Sequence, residues 1–178
     1  LCLALFILAE YSVRKLFPRY TFYLRTYPNQ FKNHPYSINH IKREDKDLGW
    51  VMNKRYPDFV ENGSHYMIND QGFRDEKDFI SPQLNSDKMR VMILGDSFVY
   101  GGIGRQEYAT IPTILQRKHE DKYEVFNLGI PGWGIDQMFL AYKKFSPYIK
   151  PHIVILIYID DDIERVLEAY RQGNFNKP

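Results

Sequence analysis

From residue 90 onward, hydrophobic and polar positions fall into three short apolar runs separated by two amphipathic stretches. Arg90-Val-Met-Ile-Leu94 is rich in branched residues and stops at Gly95-Asp-Ser97. Tyr123-Glu-Val-Phe126 is stopped by Asn127-Leu-Gly129 and Pro131-Gly-Trp-Gly134. Ile153-Val-Ile-Leu-Ile-Tyr158 is apolar on both faces and ends in Asp160-Asp-Asp162. Such runs read as buried strands. Glu107 to Glu120 reads as a helix, with Pro112 tolerated in its first turn and Ile111, Ile114 and Leu115 facing a core. Ile135 to Phe145 reads as a second helix, with Met138, Phe139, Tyr142 and Phe145 at helical spacing. Apolar strands alternating with helices predict consecutive βαβ units, an α/β fold whose parallel sheet is covered on both faces. Ligands of such sheets bind beyond the carboxyl ends of the strands, and each strand here ends in glycine or acidic residues.

Upstream the pattern is weaker. Residues 44 to 90 are polar and turn-rich, with Asn62-Gly63 and Gln71-Gly72 as turns and Ser64-His-Tyr-Met-Ile-Asn69 alternating as a short edge strand. These predict a β-hairpin beside the main fold. Residues 10 to 43 hold Pro18, Pro28 and Pro35 among aromatic and basic residues and read as a connector with one short helix. Leu1 to Ala9 are all apolar, far short of the roughly 20 residues of a membrane span. They read as the tail of a signal peptide or membrane anchor, or alternatively as a short buried or interfacial helix. Arg14, Lys15, Arg19 and Arg25 follow, and by the positive-inside tendency they favour a cytoplasmic flank, which leaves orientation open. The chain thus divides into 1–27 (anchor or signal remnant), 28–89 (connector with a hairpin) and 90–178 (α/β domain). Three strands are few for such a domain, so its sheet is expected to be incomplete at the C-terminal side.

Composition narrows the field modestly. Twenty-four Lys and Arg against 22 Asp and Glu give a net charge of +2, which offers no electrostatic case for nucleic acid. The single Cys2 excludes an intrachain disulfide and any multi-cysteine metal site. Nothing in the residues calls for a cofactor.

The chemistry concentrates at Gly95-Asp96-Ser97. A hydroxyl at the end of a buried strand, at the mouth of a helix, is held rigidly, and the helix N-terminus offers amides to an oxyanion. Gly95 permits the tight turn, and Asp96 can bond free amides there; the plainer reading is that Asp96 or Ser97 simply caps a helix.

Residues 90 to 101, Arg-Val-Met-Ile-Leu-Gly-Asp-Ser-Phe-Val-Tyr-Gly, resemble the first sequence block of SGNH (GDSL-type) hydrolases, whose serine is the nucleophile. Asn127-Leu-Gly-Ile-Pro-Gly132 resembles the second block, with Gly129 at its glycine. Asp47-Leu-Gly-Trp50 and Ile68-Asn-Asp-Gln-Gly-Phe-Arg74 resemble the lead-in of larger, membrane-associated members. The resemblance spans roughly residues 44 to 165. It implies a three-layer α/β/α, flavodoxin-like fold and ester hydrolysis or O-acyl transfer through a Ser97 acyl-enzyme. It also implies an oxyanion hole built from the Ser97 and Gly129 amides, with a small-molecule or glycan ester as substrate. With the apolar N-terminus, it implies a membrane-associated or extracytoplasmic enzyme.

The sequence departs from this pattern twice. The third block is a glycine, any residue, then Asn-Asp, and its asparagine donates to the oxyanion. Here Tyr158 stands at the glycine and Asp160 at the asparagine, or Asp161 after a shift by one. An ionised carboxylate cannot donate and would repel the oxyanion. The family's closing Asp-x-x-His, source of the general base, does not occur; His34, His40, His65, His119 and His152 all lie elsewhere. A serine without a base is a weak nucleophile, so residues 1–178 alone are expected to be inactive. The rival readings are a catalytically degenerate domain that binds carbohydrate or protein, and a phosphoryl-transfer domain holding Mg²⁺ on Asp160–Asp162. Gly101-Gly-Ile-Gly104 lacks the ending of a phosphate loop and reads as a flexible loop shaping the acyl pocket. The Trp133 loop is expected on the acceptor side.

Overall fold

The computed structural model describes residues 42–54, 67–85, 87–101, 110–167, 170–171 and 175–176. The apolar opening, the connector to residue 41, the Asn62-Gly63 turn and residues 102–109 of the glycine loop lie outside them.

Three parallel strands form the centre: β3 (Met89–Gly95) lies between β4 (Tyr123–Gly129) and β5 (Ile153–Ile157). Gly95 pairs with Gly129 on one side and Ile157 on the other, so all three strands end level at one rim. Successive side chains alternate between the faces. On one face Met92, Leu94, Phe126 and Leu128 share a core with Met138, Ala141, Phe145 and Ile149 of helix α3 (Ile135–Ile149). On the other, Val91, Ile93 and Val125 pack with Val99 of α1 (Ser97–Tyr100) and Leu115 of α2 (Ile111–Lys118). The protein is therefore a mixed α/β fold of flavodoxin-like type, as the strand–helix alternation predicts.

Several details differ from expectation. β4 runs three residues further than predicted, because Asn127, Leu128 and Gly129 continue the pairing with Ile93, Leu94 and Gly95. In α2, Leu115 turns inward beside buried Pro112, which leaves Ile111 and Ile114 exposed. α3 continues to Ile149 through Pro147, and its buried stripe is Met138, Ala141, Phe145 and Ile149; Phe139 and Tyr142 face outward.

The upstream residues belong to the core rather than lying beside it. Among the described residues the hairpin is β1 (Lys42–Asp45) against β2 (Gly49–Met52); of the strand expected over Ser64–Asn69 only residues 67–69 are described, and these form no strand. Within the described part of that segment, Asn69 folds the chain instead: its Oδ1 accepts the Phe73 amide (2.9 Å) and its Nδ2 donates to Lys77 O (2.9 Å). A side chain bonding local backbone this way competes with strand pairing. Trp50, Phe73 and Phe79 are fully buried. Phe73 packs its ring against Phe79, Trp133 and Phe145 at centroid distances of 5.2, 5.7 and 5.3 Å.

The two sheet edges are treated differently. The outer backbone of β4 is covered by side chains: Gln116 donates to Tyr123 O and accepts from the Val125 amide. Lys77 donates to Val125 O and Asp75 accepts the Asn127 amide, both at 2.8 Å. Such cover blunts an edge that would otherwise template pairing. Along β5, Val154 and Leu156 are exposed and border an apolar groove of about 290 Å³ with Leu94, Met138, Phe139 and Tyr142. Among the described residues no helix is long and apolar enough to cross a membrane.

Candidate functional site

The level rim of the sheet gathers the loops after β3, β4 and β5. After β3 the chain turns at once into α1, and Gly95 makes this fit: a Cβ there would collide with Val99 and meet Ile157 O at 2.8 Å. Asp96 is the N-cap; its Oδ1 accepts the Phe98 amide at 2.9 Å. The capping role read for Asp96 and the strand-end placement read for the Ser97 hydroxyl therefore coexist. Ser97 is half-buried, and its Oγ donates to Asp96 Oδ2 at 3.3 Å. The Ser97 amide donates no described hydrogen bond. At the first position of a helix such an amide points outward, available to an anion.

Gly129 lies directly beneath α1. A Cβ on it would collide with the Tyr100 amide nitrogen and meet Val99 C and Cβ at 2.7 and 2.8 Å. Its own amide, however, donates to Asn127 Oδ1 at 3.0 Å. Gly129 thus serves close approach, while its N–H already has an acceptor. Three residues on, Gly132 is buried in the left-handed region (φ +86°), and its amide donates no described hydrogen bond. Gly132 was not singled out as a site residue in the sequence, although a glycine three residues after the strand end and next to Pro131 is a turn signal. The same loop is braced from the hairpin. Trp50 Nε1 donates to Pro131 O (3.3 Å), Trp133 Nε1 to Trp50 O (2.9 Å), and Gln137 Nε2 to Leu48 O (2.7 Å). Trp133 is fully buried in this brace and does not line a cleft.

After β5 the three aspartates part company in helix α4 (Asp160–Glu164). Asp160 is exposed, as is Tyr158, and Asp161 is 70 % exposed. Asp162 is fully buried: its Oδ2 accepts the Ile159 amide at 3.0 Å and its Oδ1 pairs with Arg165. Asp160, expected in the oxyanion hole, is thus exposed at the rim, and the inward carboxylate is Asp162. An α-helix turns about 100° per residue, so three adjacent side chains cannot share one direction. For the same reason Asp160–Asp162 do not converge, and among the described residues no group of three acidic, histidine or cysteine side chains is placed to hold a metal. Arg165 was not anticipated, and Asp162 was read only as one of three possible Mg²⁺ ligands.

His119 and His152 both sit at the opposite end of the sheet. His119 packs its ring on Tyr123 at the start of β4, and His152 Nδ1 accepts the Arg90 amide at the start of β3. His34, His40 and His65 lie outside the described residues. The rim thus offers a held hydroxyl, the Ser97 and Gly132 amides, which find no acceptor among the described residues, and a buried ionic cluster. No protein-family model matches the sequence, and no curated protein does.

Proposed function

We propose that the chain bears the nucleophile of an SGNH-type serine hydrolase or O-acyltransferase, acting through a Ser97 acyl-enzyme. The observation that carries this reading is the turn at Ser97. Its hydroxyl stands at the end of the central strand, at a helix N-terminus, with the amide of the same residue uncommitted. In this reading Ser97 Oγ attacks an ester carbonyl and its proton passes to a histidine from a part of the protein outside the described residues. The Ser97 amide receives the oxyanion. The second donor of the expected hole is the Gly129 amide, whose hydrogen bond Asn127 Oδ1 accepts in the described structure. The tetrahedral intermediate then expels the alcohol, and water or a sugar hydroxyl takes the acyl group.

Burial of Asp162 favours the shifted alignment of the third block, with Asp162 as its closing aspartate and Asp161 where the asparagine stands. The substrate class, a glycan or small-molecule ester outside the cytoplasm, rests on the apolar Leu1–Ala9 and on analogy alone.

A fluorophosphonate probe applied to the full-length protein tests the reading: it should label wild type and leave Ser97→Ala unlabelled. Labelling that survives in Ser97→Ala, or a wild type that never labels, overturns it. The latter outcome selects the second reading, a degenerate binding domain, which the aspartates at the third block favour.

A further inference from the structure

Arg165 is where the three rim loops meet. It follows α4 in a single 3₁₀ turn (Arg165–Leu167), and its side chain is only 11 % exposed. One nitrogen, Nη1, reaches Asp96 Oδ2 at 3.2 Å, the Trp133 carbonyl at 3.2 Å and Asp162 Oδ1. Those acceptors belong to the loop after β3, the loop after β4 and the helix after β5. The second nitrogen faces Asp161 Oδ2 at 3.8 Å. All three described ion pairs at the rim share this guanidinium. The oxygen that Arg165 holds on Asp96 is the one that accepts the Ser97 hydroxyl.

A buried ion pair is a poor device for stability alone, since apolar residues of similar volume often serve as well. What it supplies here is geometry. Resting on the reading of Ser97 as nucleophile, we infer that Arg165 is a positioning residue: it fixes the Asp96 carboxylate that orients the Ser97 hydroxyl, and ties the Trp133 loop and α4 to the same point. It also faces Asp161, which in this reading stands where SGNH-type hydrolases carry an uncharged donor. A planar guanidinium serves several fixed acceptors, whereas a lysine ammonium presents a single point charge at the end of a flexible stem. Arg165 touches no substrate atom in this scheme and acts through Asp96.

The test uses the full-length protein with Arg165→Lys, which keeps the charge and so the better chance of folding, alongside Arg165→Met. Displacement of a reacting group by about 1 Å can lower rates on the order of 10²-fold. Arg165→Lys should therefore reduce the maximal rate of fluorophosphonate inactivation by about that factor, with the probe concentration for half-maximal rate unchanged. Guanidinium ion added to Arg165→Met should restore part of the rate. Amide exchange gives a readout independent of activity: protection of Phe98 and Ile159, whose amides are held by Asp96 and Asp162, should fall together in Arg165→Lys. A folded Arg165→Lys with the wild-type inactivation rate, or with protection at both amides intact, overturns the inference. A wild type that is not labelled sinks the Ser97 reading instead, and the exchange measurement still decides whether Arg165 ties the loops.

Discussion

Gly129→Ala probes how the Ser97 turn is seated. The added methyl would meet Val99 C and Cβ at 2.7 and 2.8 Å and lie closer still to the Tyr100 amide nitrogen. Carbon atoms rest about 3.5–4.0 Å apart, so helix α1 must withdraw by about 1 Å. Two of the three obstacles are backbone atoms, which no rotamer change removes. Gly129 itself cannot retreat easily, because it is paired with Gly95 in the sheet and its amide is bound to Asn127. Overpacking of this kind costs about 1–3 kcal/mol, and the backbone character of the clash puts Gly129→Ala at the upper end. For a domain of this size that corresponds to a loss of roughly 2–4 °C in Tm per kcal/mol. Urea unfolding of the full-length variant measures it directly. Because α1 is only four residues long and starts at Ser97, its withdrawal carries the hydroxyl with it. Fluorophosphonate labelling should fall on the order of 10²-fold. A variant within about 0.5 kcal/mol of wild type, labelled at the wild-type rate, would show that α1 is not seated on Gly129.

Asp162→Ala should destabilise the protein by about 3–5 kcal/mol, since it strips Arg165 of a buried partner, whereas Asp160→Asn should stay within about 0.5 kcal/mol in the same urea titration. Equal effects at the two positions would contradict the division of the aspartates. Trp133→Phe keeps the aromatic packing but removes the hydrogen bond to Trp50 O; losing it should cost about 0.5–1.5 kcal/mol and raise amide exchange in β1 and β2 before the rest of the domain. The Asp78 carboxylate accepts the amides of Ser81 and Ile80, and these hold its pKa below the ordinary carboxylate value. Its stabilising contribution is therefore complete above about pH 4 and is lost as pH falls through the lowered folded-state value. NMR titration should place the Asp78 midpoint below that of an unfolded control, and Asp78→Asn should remove this part of the acid dependence.

The parallel sheet was legible because its evidence is local: β3 and β5 are short runs of branched apolar residues, and helices with periodic apolar faces lie between strands. The Ser97 turn was legible for the same reason, since strand, glycine, acid, serine and helix follow one another without a gap. The hairpin was not. Lys42-Arg-Glu-Asp45 carries four charges in succession, and nothing in that tetrapeptide favours a strand. Its pairing depends on β2, which in turn is held by Trp50 and Trp133 across more than 80 residues of sequence. Lys42 is buried because its ammonium reaches Pro131 O while its nitrogen lies 5.1 Å from the Trp50 ring centre.

The ionic cluster was hidden by the same cause in sharper form. Asp160, Asp161 and Asp162 are chemically identical in sequence, and only the direction of α4 decides which one enters the rim. That direction is fixed by Ile159, whose amide Asp162 caps, and by Gly134, where a Cβ would meet Arg165 Cβ and Asp162 O at 3.1 Å. The partner that gives Asp162 its place, Arg165, is three residues away, but the group that gives Arg165 its place, Asp96, is 69 residues distant. Pattern reading along the chain finds the Gly95-Asp96-Ser97 turn at a strand end because the turn is built from neighbours. It misses Arg165, which joins that turn to the other two loops, because those contacts exist only once the three strand ends have been brought level.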